Sequence, residues 1–583
     1  MQLSYAALAT ERPAKSRTYL LPICLLTVGF SLRVIWAASV FLNADEAMHY
    51  VLSNQPSFPL TYQATLSTAH PPLFIIMLHY WNHVGTSEFI LRLPSLLAGT
   101  AFCWIIFLWL KQVTDTATAV IGLSLALFSP ALIYLSAELR QYSLLLFFCA
   151  ASLYLLDRAI AESSAGAVLL SLFCLYLALL THYSSLIFAL VLGLYALLRL
   201  RSTRVRGTIY AFWGLGQIAG VALVIFLLKT HVVNKRHMAQ NLADSYLRGS
   251  IFHRGEDHVL PFILRANVRV FHFLFSQGAI SVLALLLFIA GVVILLREAK
   301  GAMGRNPTSR QLGFLLLAPF IINCTMAMGG VYPYGGTRHD SYLAVFAMPG
   351  IAIALARWRS PKIWMKPLAI TLALAICNLF VVPAGAYIRP KNQRRQLMMQ
   401  AIDWMHRSLP PNAIIFTDLE GALLLSYYYC HSSVVQLYGQ VPAFKESPCG
   451  GARVIAIHPK LWIFRAETFP ADLQNMEQTF GLNPITPIWV FQAGFMVDKE
   501  ADFRATLRGF GCPAPQNFGA NILVCRIALD PTQIEVTSST RINAEETDLH
   551  KSLVDPQKGK ASPMARLGAE KFGLYWLGCM VMP

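Results

Sequence analysis

Long apolar runs recur through the first 390 residues and are separated by short polar loops. A helix that crosses a bilayer needs about 20 apolar residues, and a helix satisfies its own backbone hydrogen bonds there. A further apolar run, Leu73–Trp81, is too short to cross and is typical of an interfacial or re-entrant segment. The pattern predicts about eleven transmembrane helices, at residues 19–41, 88–110, 115–136, 139–157, 167–182, 184–200, 208–230, 271–296, 311–330, 341–357 and 363–386.

The pattern changes after about residue 390, where short strand-like runs alternate with amphipathic helical ones. This rhythm predicts a small α/β domain, and no glycine-rich nucleotide motif accompanies it. We therefore predict a transmembrane domain at 1–388, an α/β domain at 389–530 and an irregular polar tail at 531–583. The predicted strands are Ala413–Thr417, Val434–Tyr438, Val454–His458, Ile488–Gln492 and Ile522–Ile527.

Lysine and arginine lie mainly in alternate loops, which marks those loops as cytoplasmic. This places the N-terminus in the cytoplasm and everything after about residue 387 outside, as expected for a bacterial cytoplasmic (inner) membrane protein. One predicted external loop, Thr230–Val270, is basic, contrary to the preference of lysine and arginine for cytoplasmic loops. Either an anionic partner such as a lipid phosphate or an amphipathic helix on ordinary anionic lipids would explain it.

The composition agrees with a membrane protein, since 56% of the 583 residues are apolar and 13% are charged. The net charge of +17 is spread over many short loops, so nucleic acid is not an expected partner. Six of the eleven cysteines lie in apolar runs, and no pair has metal-ligand spacing. An external domain would allow Cys430–Cys449 and Cys512–Cys525 disulfides.

Several unusual polar residues fall on the outer side of this topology, at the ends of predicted helices. Ionisable groups at the hydrocarbon edge are costly and are therefore functional candidates, although caps, turns, ion pairs and interface anchors are ordinary explanations for each. Arg33, inside the first span, is expected to face the protein interior. The candidates are Asp45, Glu46, His70, Glu138, Arg140, Tyr142, His182, Tyr183 and Arg338, the last beside Tyr332, Tyr334 and His339.

The order of these motifs resembles the bacterial relatives of protein O-mannosyltransferases. These are GT-C fold glycosyltransferases, similar to the lipid A 4-amino-arabinose transferases. The resemblance covers residues 19–200 well and residues 310–360 loosely. It is carried by Asp45-Glu46, His70-Pro71-Pro72-Leu73, Arg92-Leu93-Pro94-Ser95, Ser129-Pro130, Glu138-Leu139-Arg140-Gln141-Tyr142 and Gly336-Thr337-Arg338.

The resemblance implies a polyprenyl-phosphate donor carrying one sugar (a hexose or a pentose) and an acceptor hydroxyl on a protein, lipid or glycan. Asp45 matches the family's catalytic carboxylate and is expected to act as the base. Glu46 is its predicted catalytic neighbour, and it either orients the acceptor or caps the helix. No cofactor is expected and metal dependence is not expected, although a single ion at Asp45 stays open.

The leaving phosphate needs cations, and arginine can bind two phosphate oxygens at once. Arg140 and Arg338 are therefore the expected phosphate ligands, and His70 is expected to contact sugar or phosphate. Glu138 would position Arg140 or bind sugar hydroxyls. The predicted substrate site is completed by Tyr142, His182 and Tyr183.

Other functions compete with this hypothesis. A transporter or lipid flippase would show paired repeats with broken helices near mid-membrane, and none is evident in the sequence. A membrane anchor that presents the α/β domain would not explain Asp45-Glu46 or His70-Pro71-Pro72. An enzyme that transfers a lipid-linked oligosaccharide remains a third alternative.

Overall fold

Helices account for nearly all of the described chain as far as Arg357. The computed structural model describes residues 14–68, 70–232, 247–298, 305–357, 371, 393–458, 463–483, 486–495 and 500–529. The predicted span at 363–386 (except residue 371), the predicted domain boundary at 388 and the predicted tail at 531–583 lie outside the described residues.

The membrane part consists of fifteen α-helices in the described residues, with a 3₁₀ turn at Arg248–Ser250 and another at Arg338–Leu343. The helix α11 continues into a π-helical turn at Leu228–Val232. The helices are α1 (Ala14–Ser39), α2 (Ala44–Ser53), α3 (Phe58–Thr65), α4 (Leu73–Trp81), α5 (Glu88–Val113), α6 (Thr116–Leu127), α7 (Pro130–Ser136), α8 (Tyr142–Glu162), α9 (Ala165–Leu179), α10 (Ser185–Ser202), α11 (Gly207–Leu227), α12 (Val259–Phe275), α13 (Gly278–Arg297), α14 (Ser309–Met328) and α15 (Ala344–Arg357).

Eight helices of the described chain are long and apolar enough to cross a membrane, and nine if one bent pair counts as a span. That pair is α6 and α7, which meet at 64° because Pro130 cannot continue the hydrogen-bond ladder of α6. The ten predicted spans that fall on described residues all coincide with helices, although α9 has only 15 residues.

One predicted span begins too early. The run 271–296 is not one helix, because α12 ends at Phe275 and α13 begins at Gly278. Ser276 lies between them with φ of 59°, a left-handed conformation that stops a helix. Apolar residues continue on both sides of this turn, so hydropathy could not reveal the break.

Arg33 faces the protein interior, as predicted, and is fully buried. Its guanidinium donates to the carbonyls of Leu127 (2.9 Å) and Ala126 (3.3 Å) at the end of α6, and to the carbonyl of Gly29 (2.9 Å). Carbonyls at a helix C-terminus lack partners and carry partial negative charge. Arg33 therefore caps α6 at its bend and has a structural role.

The α/β domain has one mixed sheet in the order β2-β3-β1-β4-β6-β5. The central strand β1 is parallel to β3 and β4, whereas β2 and β6 add antiparallel strands at either side. The strands are β1 (Ile414–Thr417), β2 (Phe444–Cys449), β3 (Ala452–Ile457), β4 (Ile488–Gln492), β5 (Gln516–Gly519) and β6 (Ile522–Ile527), and the helices are α16 (Arg395–Ser408), α17 (Leu419–Tyr428), α18 (Phe469–Phe480) and α19 (Glu500–Gly509).

This domain confirms the predicted α/β character, with two errors of detail. Val434–Tyr438 was predicted as a strand, but it is an irregular segment that pairs with no strand. The edge strand β2 was missed because its sequence contains Lys445, Glu446 and Pro448, which do not form an apolar run. Proline is tolerated at a sheet edge because its missing N–H is not needed there.

The helix α2 lies between the membrane helices and the α/β domain. Phe41 N–H donates to the carbonyl of Gln393 (3.1 Å), just before α2. The hydroxyl of Tyr428, at the end of α17, accepts from Leu42 N–H (2.6 Å) and donates to the carboxylate of Glu88. The predicted disulfide partners are joined, with Cα–Cα distances of 4.8 Å for Cys430–Cys449 and 6.2 Å for Cys512–Cys525.

Candidate active site

The helix α2 begins with a capping box that orients two carboxylates. The side chain of Asn43 accepts from Glu46 N–H (3.2 Å), and a Glu46 carboxylate oxygen accepts from Asn43 N–H (3.0 Å). This pairing satisfies two backbone donors at the start of the helix. Asp45 and Glu46 are thereby fixed in the first turn, where the helix dipole favours negative charge.

The carboxylate of Glu46 accepts hydrogen bonds from both a side chain and the backbone. Arg92 donates to both of its carboxylate oxygens at 2.8 Å, and Leu139 N–H donates to one of them at 2.7 Å. Both side chains of this ion pair are almost fully buried. Of the two roles considered for Glu46 beside Asp45, capping the helix is therefore the one that the geometry supports.

Arg92 also closes the turn between α1 and α2. Its guanidinium donates to the carbonyls of Ala37 (2.6 Å), Val40 (2.9 Å) and Phe41 (3.0 Å). Sequence analysis quoted Arg92 within a motif without giving it a role. A lone arginine inside an apolar span needs a carboxylate partner, and that requirement was the available signal.

Asp45 lies between two arginines. One carboxylate oxygen is 2.7 Å from Arg338 Nη2 and the other is 3.4 Å from Arg140 Nη1. The Asp45 side chain is 14% exposed, against 8% for Arg338 and 4% for Arg140. The aspartate is therefore the most accessible member of this charged cluster.

Glu138 contacts the same cluster from the turn before α8. It lies 3.4 Å from Arg338 Nη1 and accepts from the hydroxyl of Tyr134 (3.0 Å) and the amide of Asn43 (3.3 Å). Its second carboxylate oxygen is buried without a hydrogen-bond partner. Glu138 thus forms its ion pair with Arg338, which bridges two carboxylates, and not with Arg140.

A tight loop holds Arg338 in place. The N–H groups of Gly335, Gly336 and Thr337 all donate to one oxygen of Asp340, at 3.0–3.2 Å. Gly336 has φ of 81°, and a Cβ there would lie 2.1 Å from the carbonyl oxygen of Arg269. Only glycine fits this approach of the loop to α12. Sequence analysis did not find the anchoring role of Asp340.

Tyr142 and a group of imidazoles form the adjoining wall. The Tyr142 ring lies 5.7 Å from the guanidinium carbons of both Arg140 and Arg338. The His182 ring is 5.3 Å from Tyr142 and 5.2 Å from His70. Two further imidazoles belong to this wall. His339, which the sequence singled out beside Arg338 without a role, is 5.5 Å from His182. His49, which was not singled out, is 6.4 Å from His70.

Burial favours the neutral form of three imidazoles of this wall, those of His49, His70 and His182. Burial lowers the pKa of His70 and His182 well below the ordinary value, and it lowers the pKa of His49 to about 3. No group of three or more side chains with metal-binding geometry occurs among the described residues. The wall therefore offers uncharged donors and acceptors beside the two guanidiniums.

Tyr183 is the predicted site residue with the least support. Its hydroxyl is buried without a hydrogen-bond partner. Burial raises the pKa of Tyr183 to about 12, so the hydroxyl is neutral. The Tyr183 hydroxyl therefore forms no hydrogen bond with the charged cluster.

The basic segment predicted as the loop Thr230–Val270 includes much of α12, and three of its arginines have partners within it. Arg248 pairs with Glu256 (2.6 Å), Arg265 pairs with Asp257 (3.0 Å), and Arg269 donates to the carbonyl of Gly249 (2.9 Å). Lys235 and Arg236 lie outside the described residues. These ion pairs offset part of the positive charge that the sequence placed in this loop.

Residues 69–230 match the sequence model of the family described as dolichyl-phosphate-mannose-protein mannosyltransferase. The structure is similar to that of ArnT from Cupriavidus metallidurans bound to undecaprenyl phosphate. The TM-score is 0.51 at 13% identity, over 88% of this chain and 98% of that one. The chain has the GT-C glycosyltransferase fold. The predicted fold class and the resemblance are both confirmed.

Other GT-C structures are similar to this chain over shorter stretches. Oligosaccharyltransferase AglB from Archaeoglobus fulgidus, in complex with an inhibitory peptide and a dolichol-phosphate, has a TM-score of 0.44 at 10% identity, covering 82% of this chain and 70% of that one. Arabinosyltransferase EmbB from Mycobacterium smegmatis has a TM-score of 0.37 at 14% identity, covering 61% and 32%. No curated protein matches the sequence.

Proposed function

We propose that this protein is a membrane glycosyltransferase that moves a single sugar from a polyprenyl-phosphate carrier to an acceptor hydroxyl, with Asp45 as the base. The observation that carries the proposal is Asp45 itself, which lies between Arg338 and Arg140 and is more exposed than either. The reaction needs a base for the acceptor and cations for the leaving phosphate, side by side.

The chemistry balances within this cluster. The acceptor oxygen attacks the anomeric carbon, its proton passes to Asp45, and the bond between that carbon and the phosphate oxygen breaks. Negative charge thereby moves from Asp45 to the phosphate, toward the guanidiniums of Arg338 and Arg140. Direct displacement with one base predicts inversion at the anomeric carbon.

The ion pairs of Asp45 also indicate the order in which the donor and the acceptor bind. A carboxylate held by Arg338 at 2.7 Å is a weaker base than a free one. A donor phosphate is a bidentate ligand for arginine and competes for that guanidinium. Donor binding would therefore release Asp45 to accept the acceptor proton, so the donor is expected to bind first.

Neighbouring groups supply the contacts that a sugar needs. The buried, unpartnered oxygen of Glu138 is an acceptor for a sugar hydroxyl. The neutral imidazoles of His70 and His182 can donate to sugar or phosphate oxygens. Tyr142 offers a ring face next to both guanidiniums.

We place this site on the outer face of a bacterial cytoplasmic membrane, with the N-terminus inside. The distribution of lysine and arginine supports that orientation. Two disulfides in the α/β domain support it independently, because disulfides persist in oxidising compartments.

The test uses the purified full chain and a panel of polyprenyl-phosphate sugars, with carrier release followed by mass spectrometry. Asp45→Asn should lower transfer by about 10²–10⁴-fold, the usual contribution of a general base. Asp403→Asn, an exposed aspartate on α16, is the matched control and should transfer normally. Unchanged transfer by Asp45→Asn would reject the base assignment, and carrier movement without sugar release would favour a flippase.

A further inference from the structure

A polar cavity lies at the other end of α2, where that helix meets the α/β domain. Its volume is about 240 Å³, far more than a single water molecule needs. The α2 side is formed by Val51, Leu52 and Gln55, and the domain side includes Gln436, Tyr438 and Lys445. The Tyr438 hydroxyl donates to the Gln55 side chain (2.7 Å), which links the two sides.

Lys445 gives this cavity an unbalanced positive charge. Its ammonium is half-buried and donates to the carbonyl of Val435 (3.3 Å). Within the described part of the chain it forms no ion pair. A partly desolvated ammonium without a carboxylate is unfavourable, and an anion in the cavity would offset that cost.

The neighbouring His458 does not balance the charge. Its Nε2 accepts from Gln436 N–H (3.1 Å), so the ring proton lies on Nδ1, which is buried without a partner. Burial lowers the pKa of His458 to about 4, and the nearby charge of Lys445 acts in the same direction. The strand end therefore holds an ammonium whose printed partner is one backbone carbonyl and, beside it, a buried N–H donor of His458 without a partner.

The helix α2 connects this cavity to Asp45. Val51 and Leu52 follow Asp45 by six and seven residues, which is about 9–11 Å along the helix axis, and Gln55 comes just after the helix ends at Ser53. Leu52 lies seven residues after Asp45, so both are on the same helix face. The cavity is therefore within the length of an extended acceptor whose hydroxyl lies at Asp45.

We propose that this cavity binds an anionic group, a phosphate or a carboxylate, of the acceptor. The proposal rests on the proposed transferase function and adds a substrate class to it. The acceptor would carry its negative charge about 10 Å from the hydroxyl that receives the sugar. Lys445 would bind that charge, and the α/β domain would thereby select the acceptor.

The first experiment measures binding without catalysis. Radiolabelled inorganic phosphate is titrated into the full-length Arg338→Gln protein, which lacks a donor-site cation, in phosphatidylcholine nanodiscs. We expect one saturable site, weakened at least tenfold when Lys445→Gln is added. Arg453→Gln, on the adjacent strand and paired with Glu446, is the matched control and should not change it. Equal effects of Lys445→Gln and Arg453→Gln would overturn the proposal.

Two further arms identify the source of the anion. Loss of phosphate binding in nanodiscs that contain phosphatidylglycerol would assign the site to lipid headgroups and overturn the acceptor role. In transfer assays, Lys445→Gln should raise KM about tenfold for a phosphorylated sugar acceptor, with kcat and the KM of the unphosphorylated acceptor unchanged. An equal loss with both acceptors would also overturn it. Phosphate binding needs no sugar transfer, so failure of the transferase function would be recognised separately.

Discussion

Replacing Glu46 by glutamine should destabilise the protein far more than replacing its neighbour Asp45 by asparagine. The Glu46 carboxylate accepts two hydrogen bonds from Arg92 and one each from the N–H groups of Asn43 and Leu139. A glutamine keeps one acceptor oxygen and turns an NH₂ toward the remaining donors. Breaking a buried ion pair in this way costs about 3–5 kcal/mol.

Asp45→Asn should behave in the opposite way. Its side chain is 14% exposed, and Arg338 keeps its second ion-pair partner, Glu138, when the charge of Asp45 is lost. We expect little change in stability and a loss of transfer of about 10²–10⁴-fold. Glu46→Gln should retain measurable transfer per folded molecule, because its carboxylate is committed to Arg92 and the backbone.

The assay compares thermal unfolding midpoints of the two detergent-solubilised variants with their transfer rates, normalised to folded protein. The expected result is a low midpoint for Glu46→Gln and a low rate for Asp45→Asn. A normal midpoint with abolished transfer in Glu46→Gln would refute the structural assignment and restore Glu46 as a catalytic residue.

Three other perturbations test the site. In Arg338→Lys, the single ammonium cannot hold both Asp45 and Glu138 as the guanidinium does. Steady-state kinetics should show a donor KM raised about tenfold or more. The control Arg248→Lys, at an exposed arginine, should leave the donor KM unchanged. Gly336→Ala would clash with the Arg269 carbonyl and should cost about 1–3 kcal/mol in thermal unfolding, whereas Gly166→Ala, with open space around it, should be neutral. The folded pKa of His49 is about 3 against an ordinary 6.5, so the unfolded chain takes up a proton at this residue at a higher pH than the folded protein does. The stability that the buried neutral imidazole contributes is therefore fully present above pH 6.5 and is lost as the pH falls toward 3. His49→Gln should therefore flatten the acid limb of the unfolding midpoint, and an unchanged limb would contradict the buried, neutral imidazole.

Hydropathy located the membrane helices because a lipid-facing helix must be apolar along its whole length. The same criterion could not detect the break at Ser276, because the chain stays apolar on both sides of this change of direction. Loop charge then placed Asp45, Glu138, Arg140 and Arg338 on one side of the membrane, and the structure brings all four together.

Partners within the site were harder to predict. From the sequence, Glu138 was expected to position Arg140 or to bind sugar hydroxyls, and in the structure it pairs with Arg338, 200 residues away along the chain. His49 lies on a short helix with no unusual spacing, so nothing in the sequence placed it beside His70. Such contacts depend on how helices from separate loops pack, and hydropathy carries no information about that.

The position of α2 constrains how this protein can be re-engineered. One end of that helix carries Asp45, and the other end forms part of the cavity against the α/β domain. Tyr428 and Glu88 join the same domain to the membrane helices. A chimera that exchanges residues 393–529 alone would put a foreign surface against the helix that carries Asp45, so a functional graft should carry residues 41–55 from the same donor protein.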